Sequence, residues 1–216
     1  MKNFSSPVFQ GPSESELEQM TDSICTRSCS FAKGGIIFHA GDTVREMGIV
    51  QKGSVNIENI DPWGNRGILS NVTAGQVFAE TYALCQEPLM VNAVAAENCE
   101  ILFLNLQVLM SEHNMNSSWY LKILQNMLRI SVQKNMILSQ RIFCTTAKTV
   151  RGRLLTYLSG LSVKNGSSTF QVPFDRQHMA DYLNLDRSAL SKELGKMRDE
   201  GMIEFYKNTF RLKVKI

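Results

Sequence analysis

The sequence predicts an α+β protein in three consecutive parts: a β-rich sandwich or barrel over 1–115, a long helix over 116–145, and a small helical module with a β-hairpin over 146–216. Three observations carry this. Between Ser28 and Asn105, short β-type runs alternate with Gly-containing turns. From Ser117 to Cys144 there is neither Gly nor Pro across 28 residues, longer than most globular helices. The charge then changes sign: residues 1–145 hold 10 Lys/Arg against 13 Asp/Glu, whereas 146–216 hold 13 against 7. A formal total of +3 thus hides a −3 part and a +6 part. A basic module suits a polyanion such as a nucleic-acid duplex. A merely solvated basic surface is the alternative, and residue pattern must separate the two.

Composition bounds the class. With 44% hydrophobic and 20% charged residues in 216, the chain can bury a proper core and is not of disordered type. No apolar run approaches the roughly 20 residues of a membrane helix, and residues 1–20 lack a signal-peptide core. Five cysteines, Cys25, Cys29, Cys85, Cys99 and Cys144, are odd in number and scattered, unlike a disulfide framework. The expectation is a cytoplasmic protein with no membrane partner.

The first element is a helix over 13–24, with Ser13 as cap and Glu16 completing a capping box. The β runs follow as Gly35–His39, Met47–Gln51, Val55–Ile60, Gly67–Val72, Val77–Phe78, Met90–Ala95 and Glu100–Leu104, with turns such as Lys52-Gly53 and Trp63-Gly64-Asn65 between them. Their apolar residues, Ile36, Phe38, Ile49, Val55, Ile57, Ile68, Val77, Val91, Ala93, Ile101 and Phe103, read as core.

The long helix carries two stripes. Tyr120, Ile123, Met127, Ile130, Lys134 and Ile137 follow a 3-4 spacing, and Leu121, Leu124, Leu128, Asn135, Leu138 and Ile142 lie beside them. One stripe can cover the β-domain and the other is left over. The first is read here as the seam of a homodimer, with a polar Lys134 or Asn135 helping to set register. One helix buried on both faces within a monomer is the alternative.

After Thr145 an amphipathic helix resumes, with Val150, Leu154, Leu155 and Leu158 inward and Arg151 and Arg153 elsewhere on its surface. The sharpest signal comes next. Asp175 caps a helix with Met179, Ala180 and Leu183 inward, Asn184-Leu185 turns the chain, and Asp186 caps a second helix that Gly201 stops. On that helix Leu190, Leu194 and Met197 share one face, and Ser188, Ser191, Lys192 and Gly195 cluster opposite, with Arg187 in the first turn. The outer face is polar, small and basic, as entry into a major groove requires. Ile203–Tyr206, Lys207-Asn208 and Phe210–Val214 complete a hairpin, so this is a winged helix-turn-helix expected to bind double-stranded DNA.

At this point the chain resembles the cyclic-AMP receptor / fumarate-nitrate regulator (CRP/FNR) family of bacterial transcription factors. The resemblance rests on KGGIIFHAGD, MGIVQKGSVNIENIDPWGNRGILSNVTAGQVFAE, NCEILFLN and FDRQHMADYLNLDRSALSKELGKMRDEGMI, in order across about 15–216. It implies a double-stranded β-helix jelly roll that senses an effector, a dimerisation helix, and a winged helix-turn-helix reading a palindromic operator. It also adds RNA polymerase and an unidentified small-molecule effector to the partners. By the family pattern, base edges are read at Arg187, Ser188 and Lys192. Arg187 suits O6 and N7 of guanine, and Ser188 stands where many relatives carry Glu. Ser191 joins that face, and Arg176, Lys207 and Asn208 are placed for phosphates.

The sensor motif departs from the cyclic-nucleotide-binding pattern. Phe-Gly-Glu in those relatives is Phe78-Ala79-Glu80 here, and their Arg-Ser aligns with Leu89-Met90-Val91, with no cation anywhere in 81–96. An uncompensated buried phosphate is costly, which argues against cyclic AMP and for an apolar pocket at Phe78, Ala79, Glu80, Leu89 and Met90, with Tyr82 nearby. No cofactor is expected. Cys25-x₃-Cys29 lacks the tight third ligand of an iron–sulfur site, so a redox or metal-sensing regulator is an alternative only. His39 and His113 are haem ligands only in principle. No His-x-His, Gly-rich phosphate loop, GxSxG or HExxH occurs, against a cupin-type or other enzyme. A sensor or adaptor that binds a ligand or protein without DNA completes the alternatives.

Overall fold

Alternating β-branched and small residues between glycine turns build two four-stranded sheets in the computed structural model, which describes residues 5–24, 26–60 and 66–213. Cys25, the turn Trp63-Gly64-Asn65 and Val214 lie outside the described residues. Two compact units divide the chain, Met1–Ser131 and Val132–Ile216, so the division falls within the long helix and not at either of its ends.

In the first unit, α1 (Glu14–Ser23) starts at the expected capping box: the Ser13 side chain accepts from the Glu16 amide, and Glu16 accepts from the Ser13 amide. The strands are β1 (Arg27–Phe31), β2 (Ile36–Phe38), β3 (Glu46–Lys52), β4 (Ser54–Ile60), β5 (Arg66–Thr73), β6 (Val77–Phe78), β7 (Asn92–Ala95) and β8 (Cys99–Asn105). They pair antiparallel in the orders β1-β8-β3-β6 and β2-β7-β4-β5. The chain leaves the first sheet after β3, makes the β4–β5 hairpin in the second and returns at β6, the crossing pattern of a jelly roll. Short helices α2 (Glu80–Cys85) and α3 (Leu106–Leu109) follow β6 and β8.

Between the sheets, Phe38 packs against Phe78 and Phe103 with ring centroids 5.9 and 5.6 Å away. This fixes Gly48 opposite Phe78 in the β3–β6 pair: a Cβ there would lie 2.2 Å from the ring. Gly53 makes the β3–β4 turn at φ +77°, and a Cβ would meet the Asn98 carbonyl at 2.5 Å. Two expected core residues are corrected. Ile36 and Ile68 are exposed, and the strand pairing shifts register beside each, between Ile36 and Phe38 and at the Ile57–Glu58 pairing with Ser70 and Ile68, the kind of irregularity that re-aims side chains.

The long helix, α4 (Tyr120–Thr146), corrects the assignment of its stripes. Tyr120 and Ile123, read as dimer seam, are buried in the sensor core, and Met127 and Ile130 pack partly against it. A side chain with no exposed surface cannot form the seam of a second contact. The covering stripe is therefore this one from Tyr120 to Ile130, whereas Ile137 is more than half exposed and stays open to a second contact. Asn126 fastens the helix by donating to the Val8 and Gln10 carbonyls at 2.9 and 2.7 Å, and Lys122 pairs with Glu16 of α1 at 2.8 Å. The uncovered stripe is Leu121, Leu128, Val132 and Ile142, each more than half exposed. Leu121, Leu128, Asn135 and Ile142 recur every seven residues, the spacing of a coiled-coil seam.

The second unit gathers α5 (Val150–Asn165), β9 (Thr169–Gln171), α6 (Arg176–Leu183), α7 (Arg187–Asp199), β10 (Ile203–Tyr206) and β11 (Thr209–Leu212). Leu154, Leu158, Met179, Leu183, Leu190, Leu194, Met197 and Phe210 form its core, matching the inward faces expected for each helix. The sheet order is β10-β11-β9, with the two-residue turn Lys207-Asn208 at the hairpin tip.

Candidate nucleic-acid interface

The helix pair is set by local chemistry. Asp175 accepts from the His178 amide at 2.8 Å and Asp186 from the Ala189 amide at 2.8 Å, capping α6 and α7. These bonds hold both carboxyls below their ordinary range: at Asp175 chiefly the His178 amide, and at Asp186 first the Ser188 hydroxyl, then the Ala189 amide. Asn184 turns between the helices at φ +52°, a left-handed conformation Asn tolerates. Two arginines hold that corner. Arg153 donates to the carbonyls of Leu183 and Asn184 at 3.1 and 2.8 Å, and Arg141 to those of Tyr182 and Asp181 at 3.1 and 3.2 Å. Cations on carbonyls at a helix C-terminus are stabilising in both hydrogen bonding and dipole.

Charge on α7 is sorted by its neighbours. Glu193 and Glu200 are both taken by Arg151 of α5, at 2.6 and 2.8 Å, and Asp199 pairs with Arg198 at 3.1 Å. The two carboxylates, Glu200 foremost, hold the Arg151 guanidinium firmly protonated. Arg187, Lys192 and Lys196 are exposed and make no ion pair with a described residue. Ser191 is exposed beside them, and the exposed Ser188 hydroxyl bonds the Asp186 cap. Arg187, Ser188, Ser191 and Lys192 thus share one open face, with Leu190, Leu194 and Met197 buried behind it.

The wing places Lys207 and Asn208 in the open at its tip. Lys207 sits at φ +52°, with its ammonium 5.6 Å over the Tyr206 ring. Tyr206 is itself exposed, an aromatic contact surface that the hairpin pattern alone did not single out. Arg176 is corrected. Its guanidinium lies 5.0 Å over both Phe205 and Phe210 and donates to the Lys207 carbonyl at 3.1 Å, and burial lowers its pKa. It braces the wing base from the start of α6, and its side chain turns inward and not toward a phosphate. Arg151, Arg153 and Arg141, which carry the geometry of the helix pair, drew no role from sequence.

At the sensor turn, Ala79 adopts φ +61°, a left-handed conformation that ordinarily favours Gly. Phe78 and Leu89 are buried in the core, Glu80 is half-buried at the start of α2, and Tyr82 packs partly against the core. Met90 is 80% exposed, which removes it from the expected pocket: it stands in the bend before β7, turned to solvent while Leu89 beside it is buried. Of the cysteines, Cys99 and Cys144 are buried, which raises both thiol pKa values, Cys85 is exposed, and Cys29 accepts from Arg27 at 3.2 Å. A cluster needs gathered thiolates. No three metal-binding side chains gather among the described residues, so the described cysteines do not fit one. Among the described residues no helix is long and apolar enough to cross a membrane.

Comparison with known proteins agrees with this geometry. The family described as "Cyclic nucleotide-binding domain" matches residues 28–114, and "Crp-like helix-turn-helix domain" matches 152–215. The electron transport regulator A of Shewanella oneidensis is 26% identical over 196 residues, 88% of this chain and 75% of the relative. The fumarate nitrate reduction regulatory protein of Klebsiella oxytoca is 25% identical over 197 residues, 88% and 76%. Among solved structures, OCPA-complexed CprK has a TM-score of 0.63 at 14% identity, covering 91% of this chain and 88% of that one. The c-di-GMP-responsive regulator CLP of Xanthomonas campestris has a TM-score of 0.56 at 19% identity, covering 94% and 100%. These two speak for the fold. With both family domains in order, and relatives of this kind along most of its length, the chain belongs to the CRP/FNR family of DNA-binding transcriptional regulators.

Proposed function

We propose that the protein binds a palindromic operator as a homodimer, reading base edges with Arg187, Ser188 and Lys192 and phosphates with Ser191, Lys207 and Asn208. The observation that carries this is the sorting of charge on α7: Arg151 takes up Glu193 and Glu200, Asp186 is engaged as the cap, and Arg187 and Lys192 on the open face make no ion pair with a described residue. Dimerisation uses the Leu121, Leu128, Val132 and Ile142 stripe, whose exposure in a single copy is the support for it. Two copies then present two recognition helices to half-sites about one helical turn, roughly 34 Å, apart.

The chain acts by binding, with no catalytic step, in the cytoplasm, and RNA polymerase is the further partner of a CRP/FNR-type regulator. The effector of the jelly roll is a small molecule other than cyclic AMP, since 81–96 offers no cation for a cyclic phosphate. No cofactor is assigned. Selection of bound sites from random duplexes tests the reading. The expected result is an inverted repeat bound by a species that sediments as a dimer, with affinity falling steeply between 50 and 200 mM salt. Retention of random and selected duplexes alike, or of neither, would favour an adaptor that does not read DNA.

A further inference from the structure

The second unit carries a cleft of about 740 Å³ that the DNA-facing side chains do not use. Its volume is that of a small-molecule site, and its walls are mostly apolar, with Phe143 and Leu155 among them. Helix α5 supplies Tyr157, Gly160 and Lys164 to it, residues i, i+3 and i+7 of one helical face. A rise of about 1.5 Å per residue sets Tyr157 and Lys164 roughly 10 Å apart along the axis. Between these ends the surface is open: a Cβ built on Gly160 meets nothing within 4 Å.

The two ends differ in chemistry. Lys164 is the only charged side chain among the described lining residues, and it makes no ion pair with a described residue. Tyr157 is 6% exposed, and its hydroxyl is buried without a hydrogen-bond partner among the described residues, a desolvation that no described group offsets. Its ring belongs to an aromatic group with Phe174 and Tyr182, centroids 5.2–6.3 Å apart. A cation would be repelled at one end, and a wholly apolar guest would leave both polar groups unused. We propose that the cleft binds an elongated aryl carboxylate, with its carboxylate at Lys164, its rings against Phe174 and Tyr182, and a neutral acceptor at its far end taking the Tyr157 hydroxyl hydrogen. The site is independent of how the operator is read. Since α6 supplies Tyr182 to it, an occupant touches the helix on which α7 is packed.

The test is calorimetric titration of the full chain with 6-methoxy-2-naphthoate. Controls are 2-naphthoate, which lacks the distal acceptor, and 6-methoxy-2-naphthalenemethanol, which lacks the charge. The expected result is saturable binding, one per chain, in the micromolar range. The alcohol should bind about two- to five-fold more weakly, a preference that Lys164→Gln erases. Tyr157→Phe should erase the preference for the methoxy compound. Gly160→Leu fills the open floor and should abolish binding while helicity by circular dichroism is kept, because leucine is a better helix former than glycine. No saturation below about 1 mM, or affinities indifferent to Gly160→Leu, would overturn the proposal. So would conversion of a dimer to a monomer by Gly160→Leu in sedimentation, since the cleft would then hold a second copy.

Discussion

Replacing Arg187 by Ala removes a guanidinium that is exposed and makes no ion pair with a described residue of its own chain. Its loss therefore costs folding little, within about 0.5 kcal/mol, as for surface positions generally. On the operator-reading proposed above, the same change also removes a two-pronged contact to guanine, about 1–3 kcal/mol of discrimination. A dimer changes both half-sites at once, and two well-separated contacts add, giving about 2–6 kcal/mol. The smallest of these values is roughly a 30-fold loss. The assay is parallel titration of a selected operator and a random duplex of equal length, at fixed salt, with wild type and variant. The expected outcome is a large loss on the operator with little change on the random duplex. Lys207→Ala supplies the contrast: both duplexes weaken together, and the slope of log affinity against log salt falls by about 0.9 for each phosphate no longer neutralised. Equal weakening of both duplexes by Arg187→Ala would refute the assignment of Arg187 to a base.

Three further outcomes follow from the first unit. Leu128→Lys charges the uncovered stripe and should shift sedimentation toward monomer with the unfolding midpoint little changed, whereas Ile123→Ala, inside the core, should cost about 2–5 kcal/mol in denaturant unfolding. Gly48→Ala should destabilise by about 1–3 kcal/mol, since its methyl would stand 2.2 Å from the Phe78 ring; combination with Phe78→Leu should recover part of the loss, and a neutral Gly48→Ala would mean the strand pair yields freely. The Glu16 carboxyl is held at about 2, first by Lys122, then by Ser118 and the Ser13 amide, against an ordinary value of 4.5. A folded pKa below the unfolded one gives stability that is complete above about pH 4.5 and drains away as pH falls toward 2. Glu16→Gln should flatten that part of the acid-unfolding profile, and an unchanged profile would remove Glu16 from the account.

Much of this architecture is legible because glycine turns and apolar alternation are local signals. The runs Met47–Gln51, Val55–Ile60 and Glu100–Leu104 fall within β3, β4 and β8. By contrast β1 (Arg27–Phe31) carries no such signal: RSCSF is mostly polar and holds its place through pairing with β8. The two stripes of α4 are both visible in the sequence, but periodicity cannot say which neighbour covers which stripe. Only the burial of Ile123 and the Asn126 bonds decide it. The recognition face could be read because buried Leu190, Leu194 and Met197 fix the outward side. The roles of Arg151, Arg153 and Arg141 could not, since their partners lie 30 or more residues away in sequence or on backbone carbonyls. Arg176 shows the same limit. Its position suited a phosphate, and the aromatic platform of Phe205 and Phe210 took it instead.

The Arg151 clamp has an evolutionary consequence. By binding Glu193 and Glu200 from behind, with Leu190, Leu194 and Met197 buried beneath, it fixes α7 through contacts that involve neither 187 nor 192. Substitutions at those two positions can then accumulate without a toll on folding. If those positions read the operator as proposed, a lineage carrying this clamp can exchange one set of target sites for another while its scaffold stays fixed.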